Sequence, residues 1–466
     1  MSPQSIAGSV AGAPPSWRRW FVFVGPAMLV SVGYMDPGNW ASDLEGGSRF
    51  GYALIWVLAV SNAIAIFLQH LASRLGIGSG LDLAQACRTF YPRPVVLVLW
   101  ALCQCAIVAC DLAEVIGSAV ALNLLFGIPI LWGAVITVFD VFLILLLQHR
   151  GVRMVEAVVI VLVATIGACL AAELWIAQPA WREVARGFRP ALTPEQLYVA
   201  VAILGATVMP HNLYLHSALV KTRRVADNAE AKRSAMRTSL LNTVLALNLA
   251  FLVNGAILIV AADVFHPKDI AVTDLREAYH LLAPLLGTVG ASALFAIALL
   301  AAGQSATITG TMAGQAVMLG FLQLETRPLT VRLATRLAAV LPAVVAIAVF
   351  GEDSTVSLLI GTQIVLSMQL PFAIVPLVRV TSSVSAMGAL VNGIAMRVVG
   401  ALIAVFITLV NLWLIWQALE SSAWFPLIAA LALAGVALLV YLAARPLQSR
   451  GADFAAAPLA LGGAPE

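Results

Sequence analysis

Two four-residue stretches carry groups able to do chemistry inside otherwise apolar runs. They are Asp36-Pro37-Gly38-Asn39, which follows Phe21–Met35, and Met209-Pro210-His211-Asn212, which follows Leu197–Val208. Asp36 offers a carboxylate, Asn39 an amide oxygen three residues on, and Met209 a thioether. Each proline removes a backbone donor and clashes with the preceding turn, at about 3 kcal/mol in a helix interior. A buried Asp near the centre of a bilayer adds about 2.5–3.5 kcal/mol. Such costs persist only where the freed backbone and the side chains have something to bind. The breaks also release carbonyls near Gly33 and Ala206. Hard oxygens alone would suit Mg²⁺ or Ca²⁺. A soft sulfur beside them suits Mn²⁺, Fe²⁺ or Co²⁺ better.

The elements that must position these groups follow from composition. Of 466 residues, 61% are apolar and 11% charged, against about 25% charged in an ordinary soluble domain. That excludes a soluble enzyme, a disordered regulator and a nucleic-acid binder with an extended basic face. The apolar runs are too long and continuous for a transmembrane β-barrel, whose segments alternate over about ten residues. The expectation is an all-α polytopic membrane protein. A span needs about 20 apolar residues, and twelve candidates satisfy this: 20–46, 52–74, 95–124, 128–148, 154–177, 197–220, 238–264, 286–320, 329–350, 356–379, 397–419 and 425–444. The two breaks fall in the first span of each of two five-span blocks, 17–180 and 196–380. That is the pattern of an inverted-repeat transporter, with ligand held at the midplane between discontinuous helices. Residues 397–444 form two peripheral spans, and 1–16 and 445–466 read as disordered tails. The first apolar run has no small-residue cleavage site and is read as a retained helix rather than a signal peptide.

Placing the N-terminus in the cytoplasm puts twenty of the 26 Lys and Arg residues on the inner side and six outside, a strong positive-inside bias. An even number of spans then puts both termini inside. The basic run from Lys221 to Arg237 is a topology signal on this reading, not a nucleic-acid site. The five cysteines have no metal-site spacing and read as small packing residues.

Other ionisable groups lie at membrane depth, where they mark ion paths or proton relays by default. Asp111 and Glu114 share a helix face on span three. His211 and His216 lie on span six, Asp140 on span four and Glu156 near the start of span five. Arg332 and Arg336, near the start of span nine, are placed to pair with the span-three acids. Glu156 and Asp140 read mainly as paired, static charges, and His70 as a packing histidine. Asp43 and Glu45 close the outer end of span one, where the alternatives are that they are simply solvated or that they attract cations to the outer mouth.

At these residues the chain resembles the Nramp family of proton-coupled divalent metal transporters. The resemblance rests on Gly25-Pro26-Ala27 … Tyr34-Met35-Asp36-Pro37-Gly38-Asn39 in span one and on Met209-Pro210-His211-Asn212 in span six. It also rests on Gly303-Gln304-Ser305-Ala306-Thr307 … Gly310-Thr311 … Ala313-Gly314-Gln315 in span eight and Gln369-Leu370-Pro371-Phe372 in span ten. It covers roughly residues 20–420. It implies a LeuT-like fold with a 5+5 inverted repeat and spans one and six unwound at the midplane. It further implies inward symport of Mn²⁺ or Fe²⁺ with protons, Co²⁺ and Cd²⁺ also being carried. Carried over to this chain, Asp36, Asn39 and Met209 look like the metal ligands, with the carbonyls of Ala206 and Gly33. Family members often have Ala where Gly33 stands, a change a backbone ligand should tolerate. Gln363 resembles a span-ten residue that approaches the metal. Asp36, His211, His216, Asp111, Glu114 and Arg336 form the expected proton pathway. Relatives that move Mg²⁺ or Al³⁺ lack the methionine, so Met209 favours the transition-metal branch. No cofactor, no nucleic acid and no enzymatic step are expected. The protein is expected to work as a monomer in a bacterial inner membrane. A sodium-coupled amino-acid symporter shares the broken-helix fold, and a metal channel or non-transporting sensor is the alternative from another class.

Overall fold

The computed structural model describes residues 16–140, 152–223, 225–272, 275–287, 289–323, 337–338, 340–345, 347–349, 355–419 and 425–447. These are helical almost throughout. The main helices are α1 (Ser16–Val32), α2 (Pro37–Phe50), α3 (Ile55–Ser79), α4 (Leu83–Phe90), α5 (Arg93–Phe126), α6 (Ile130–Ile136), α7 (Val152–Ala177) and α8 (Pro194–Thr207). They continue as α9 (Pro210–Lys221), α10 (Ala229–Val264), α11 (Leu275–Leu286), α12 (Val289–Leu322), α13 (Thr355–Thr381), α14 (Ile394–Leu419) and α15 (Phe425–Ala444).

Among the described residues, nine helices are long and apolar enough to cross a membrane. Shorter apolar helices cover Phe23–Met35, Ile130–Phe139 and Val340–Val349, where the first half of span one, span four and span nine were expected. Spans four and nine extend into residues outside the description, as do both expected tails for most of their length. The seventh span starts earlier than its apolar run: α10 begins at Ala229, where Asn228 caps it by accepting from Ala231 N at 2.7 Å. Its first polar turns project past the apolar stretch.

Both breaks occur where the prolines put them. After α1 comes one 3-10 turn, Gly33–Met35, and Asp36 is then extended (φ −67°, ψ 164°). Pro37 excludes the helical region for Asp36 but suits the first position of a new helix. Asp36 itself caps α2 by accepting from Asn39 N at 2.9 Å. Between α8 and α9, Val208 (φ −107°, ψ 76°) and Met209 (φ −75°, ψ 122°) leave the helix, and Pro210 restarts it.

Helix contacts exchange between the two expected five-span blocks. α1 and α2 lie on α10, while α8 and α9 lie on α3. α5 lies against α12; α13 lies on α5 as α7 lies on α12; α8 meets α13 as α1 meets α7. Each pair becomes the other when the blocks are swapped. Two groups result. One contains α1, α2, α3, α8, α9 and α10; the other is built on α5 and α12. The unwound stretches sit between them. At this seam Pro37 fills the space where a Cβ on Gly117 of α5 would lie, so the small residue lets the break approach the second group.

α14 and α15 pack on α13 and on each other, and expose Leu402, Leu409, Leu431 and Leu433, as a lipid-facing surface does. α14 also makes polar contact with α13. Pro371 within α13 leaves Ser367 O, four residues earlier, without its helical donor. Asn411 of α14 supplies one: its Nδ2 donates to Ser367 O at 2.7 Å, and its Oδ1 accepts from Ser367 Oγ at 2.8 Å. All these groups are buried, so Asn411→Ala is expected to lower stability by about 1–3 kcal/mol, the cost of a buried unsatisfied group. Thermal unfolding in detergent measures this; an unchanged midpoint would remove α14 from the support of α13 at Pro371.

At the end of the molecule carrying α4, the basic run does structural work beyond a topology signal. Lys221 donates to Gln85 Oε1 at 2.5 Å and meets Asp82 Oδ2 at 3.4 Å. Asp82 and Gln85 form the capping box of α4. Arg88 donates to Gly320 O at 2.6 Å, and Arg223 pairs with Glu156 at 2.5 Å. The short helix α4 is thereby tied to the ends of both α9 and α12, one from each group. Glu156 is a paired charge, as expected, and Asp140 accepts from Gln304 at 3.1 Å. Asp43 departs from the solvated alternative. It is buried rather than solvated, because α2 lies along α10. Glu45 instead pairs with the more exposed Arg49 at 2.6 Å.

Candidate metal centre

The two breaks converge through one side chain. Asn39, on the first turn of α2, donates from Nδ2 to Asp36 Oδ1 at 2.6 Å and to Ala206 O, on the last turn of α8, at 3.1 Å. The amide nitrogen therefore stands between two oxygens contributed by different breaks. Ala206 O is available for a local reason: its helical donor would be the N–H of residue 210, which is a proline. Gly33 holds the same position relative to Pro37, four residues ahead of it. Both carbonyls also belong to C-terminal helix ends, where the helix dipole is negative and favours a cation. Asp36, Asn39, Ala206 and Met209 are all buried, and Asp36 Oδ2 has no hydrogen-bond partner among the described residues.

Met209 caps the start of α9 and packs with Ala106 and Cys110 of α5 and Leu366 of α13. Gln363 of α13 is buried with its carboxamide against Gly38, where any Cβ would collide with it. Its Nε2 donates to Thr362 Oγ1 at 3.1 Å and its Oε1 is without a partner among the described residues. Gly33 lies against the side-chain end of Asn212. The carboxamide of Asn212 occupies the space of the missing Cβ, so a methyl group there requires Asn212 to move. Among the described residues no cluster of three His, Cys, Asp or Glu side chains is placed to hold a metal. A cation at the breaks would meet one carboxylate, an amide oxygen, a thioether and carbonyls. That mixed hard and soft set suits a borderline divalent ion.

Asn254 of α10 escaped the sequence reading. Its Nδ2 donates to Tyr34 O at 2.7 Å and to Asn39 Oδ1 at 3.2 Å, so it ties the 3-10 turn to the carboxamide of Asn39. An amide at membrane depth was the available signal, but span seven carries no break to draw attention to it.

The expected proton-pathway residues fall into two chains. In one, Cys110 Sγ lies 3.6 Å from Glu114 Oε1 and 3.7 Å from His211 Nε2. A cysteine expected only to fill space thus bridges a span-three acid and a span-six histidine. Asp111 and Glu114 both approach α12 at Gly310, where a Cβ would come within 3.1 and 2.8 Å of their respective Oδ1 and Oε1 atoms. In the other chain, His216 Nδ1 lies 3.0 Å from Gln69 Oε1, and Gln69 Nε2 donates to Tyr34 OH at 2.9 Å. His211 and His216 therefore point to different neighbours. Arg332 and Arg336 lie outside the described residues.

A family model described as "Natural resistance-associated macrophage protein-like" (Nramp) matches residues 27–417. The chain belongs to the Nramp family. Similar proteins include a "Divalent metal cation transporter MntH" of Nostoc sp., 50% identical over 408 residues that make up 86% of this chain and 92% of the relative. Another relative of the same description, from Xylella fastidiosa, is 52% identical over 402 residues, 85% of each chain. Among solved structures, the Eremococcus coleocola manganese transporter in complex with an aromatic bis-isothiourea substituted compound superposes with a TM-score of 0.86 at 35% identity. It covers 95% of this chain and 98% of its own. Mhp1, a nucleobase-cation-symport-1 family transporter, matches with a TM-score of 0.60 at 16% identity, over 91% of this chain and 92% of its own. That likeness is one of fold, the LeuT-like arrangement expected of an Nramp chain.

Proposed function

We propose that this Nramp protein imports divalent transition-metal ions, Mn²⁺ first and Fe²⁺, Co²⁺ and Cd²⁺ beside it, in symport with protons. The observation that carries the reading is the Asn39 bridge between Asp36 Oδ1 and Ala206 O. A positively polarised N–H₂ group stands where a cation can take its place, between oxygens from both breaks. The ligands are then Asp36, Asn39, Met209 and the Ala206 carbonyl, with the Gly33 carbonyl and Gln363 joining in some states. The names of the MntH relatives and the manganese transporter structures support the same substrate class.

The exchange of contacts between the blocks supports two five-span repeats, residues 17–180 and 196–380. Rocking the α1–α3 and α8–α10 group against α5 and α12 opens the seam at one end while the other closes. Protons move by Asp36 and by the Glu114–Cys110–His211 chain, with Asp111 and Arg336 beside it and His216 on the α3 side. The protein acts as a monomer in a bacterial inner membrane with both termini in the cytoplasm. A sodium-coupled amino-acid symporter is disfavoured because Asp36 already caps the N-terminus of α2. A substrate carboxylate sought at that helix end would meet another carboxylate.

Reconstituted into vesicles, the protein should accumulate Mn²⁺ under an inward proton gradient, with saturation and with acidification of the lumen. Failure to move Mn²⁺ under any pH gradient would sink this reading. Flux that never saturates and never accumulates against its gradient would point to a channel.

A further inference from the structure

Glu173 lies near the C-terminal end of α7, one turn from Cys169 and far along the helix from Glu156. It is 1% exposed, and its Oε1 has no hydrogen-bond partner among the described residues. The side chain faces a small cavity lined by Leu44 of α2, Ile257 and Val260 of α10, Leu282 of α11 and Phe295 of α12. These lining residues come from both helix groups, so the cavity sits on the seam that alternating access must open. It also touches α2, the outer half of the first broken helix.

Among the described residues no ion pair holds the Glu173 carboxylate. On its own helix the neighbouring titratable group is Cys169. On α2, the buried Asp43 adjoins Leu44 and brings no positive charge. On α10, Asp263 accepts from Tyr52 OH at 3.1 Å. Beyond it, His266 has Nδ1 3.1 Å from Ser48 O. On α11, Tyr279 and His280 stack on each other with ring centroids 5.3 Å apart, Glu277 is exposed, and the half-buried Arg276 is engaged in an interaction of its own. α12 carries no Asp, Glu, His, Lys, Arg, Cys or Tyr. An isolated charge in such a place costs far more than its protonation. Ionising the acid is therefore costly while the seam is closed. Opening the seam brings water to it and favours ionisation.

We propose that Glu173 and this cavity form a proton-binding site at the outer seam, separate from Asp36 and the span-three acids. The proton is taken from external water as α2, α10 and α12 close together, and returned to external water as they part. Such a site adds no proton to the transported stoichiometry. It makes outward closure dependent on external pH. The direction of opening follows the transport reading above; the neutral acid itself does not depend on it.

The test uses the full chain, with Glu173→Gln as the permanent mimic of the neutral acid and Glu173→Asp as the titrating control. Infrared spectra of the purified protein without metal should show a protonated carboxylic acid band that Glu173→Gln lacks. In vesicles, wild-type Mn²⁺ uptake should decline more steeply than that of Glu173→Gln as external pH rises from about 6 to about 8. A required protonation can change a rate by up to about tenfold per pH unit, and a difference of about threefold between the two profiles is expected. Glu173→Asp should restore the slope. An unchanged infrared band would overturn the proposal, as would superimposable pH profiles. So would a Gln variant that fails to fold where the Asp variant folds, because a neutral acid tolerates its isosteric amide. The infrared reading needs no metal, so it stands or falls apart from the metal-transport reading.

Discussion

Replacing Asp36 with alanine should reduce Mn²⁺ uptake at low metal concentration by at least about 100-fold. Loss of outer-shell partners alone commonly costs about 10–100-fold in metal affinity, and Asp36 is the one carboxylate among the proposed ligands. The residue has a second role that must be separated from the first. It caps α2 through Asn39 N at 2.9 Å, and loss of a cap costs about 0.5–2 kcal/mol. Asp36→Asn separates the two, because asparagine caps a helix about as well as aspartate but carries no charge. Both variants are expected to lose uptake and Mn²⁺ binding by calorimetry. Only Asp36→Ala should also unfold at lower temperature. If Asp36→Asn transported Mn²⁺ as the wild type does, the carboxylate would be a cap and no more, and the proposed ligand set would have to be rebuilt without it.

The second large effect concerns selectivity. Met209→Ala should leave a site of hard oxygens, since Asp36, Asn39 and the carbonyls of Ala206 and Gly33 remain. Mn²⁺ uptake should persist with affinity lowered by about tenfold, while excess Ca²⁺ or Mg²⁺, ineffective against the wild type, should become a competitor. The basis is the preference of soft donors for transition ions over alkaline-earth ions. Met209 also packs against Ala106, Cys110 and Leu366, so truncation leaves a cavity and some loss of stability. The selectivity change distinguishes ligation from packing. A variant that is less stable but equally resistant to Ca²⁺ would make Met209 a packing residue and reopen the substrate class.

Much of this protein is determined by sequence alone. A 61% apolar composition with long uninterrupted runs leaves few folds that satisfy every backbone group in a bilayer, and helices are the one matching those runs. The breaks were equally legible. Pro37 and Pro210 each deprive a fixed carbonyl of its donor and restart a helix, which is chemistry of the chain within five residues. Asp36, Asn39 and Met209 were conspicuous because polar or sulfur-bearing groups at such breaks need a reason to be there.

Tertiary structure decided which groups meet. Nothing in the spacing of Asn39 and Ala206, 167 residues apart, brings the amide to that carbonyl. The crossed packing of α1 and α2 on α10, and of α8 and α9 on α3, does so. The same packing delivers Asn254 to Tyr34 and Asn39, and makes Cys110 a bridge between Glu114 and His211. It buries Asp43 where α2 lies along α10, and Glu173 at the seam, where a linear reading allows solvent at the first and notices nothing at the second. Local sequence sets backbone conformation through sterics and missing donors. Which polar atoms share a site, and which buried acid stands alone, depends on contacts between helices remote in the chain.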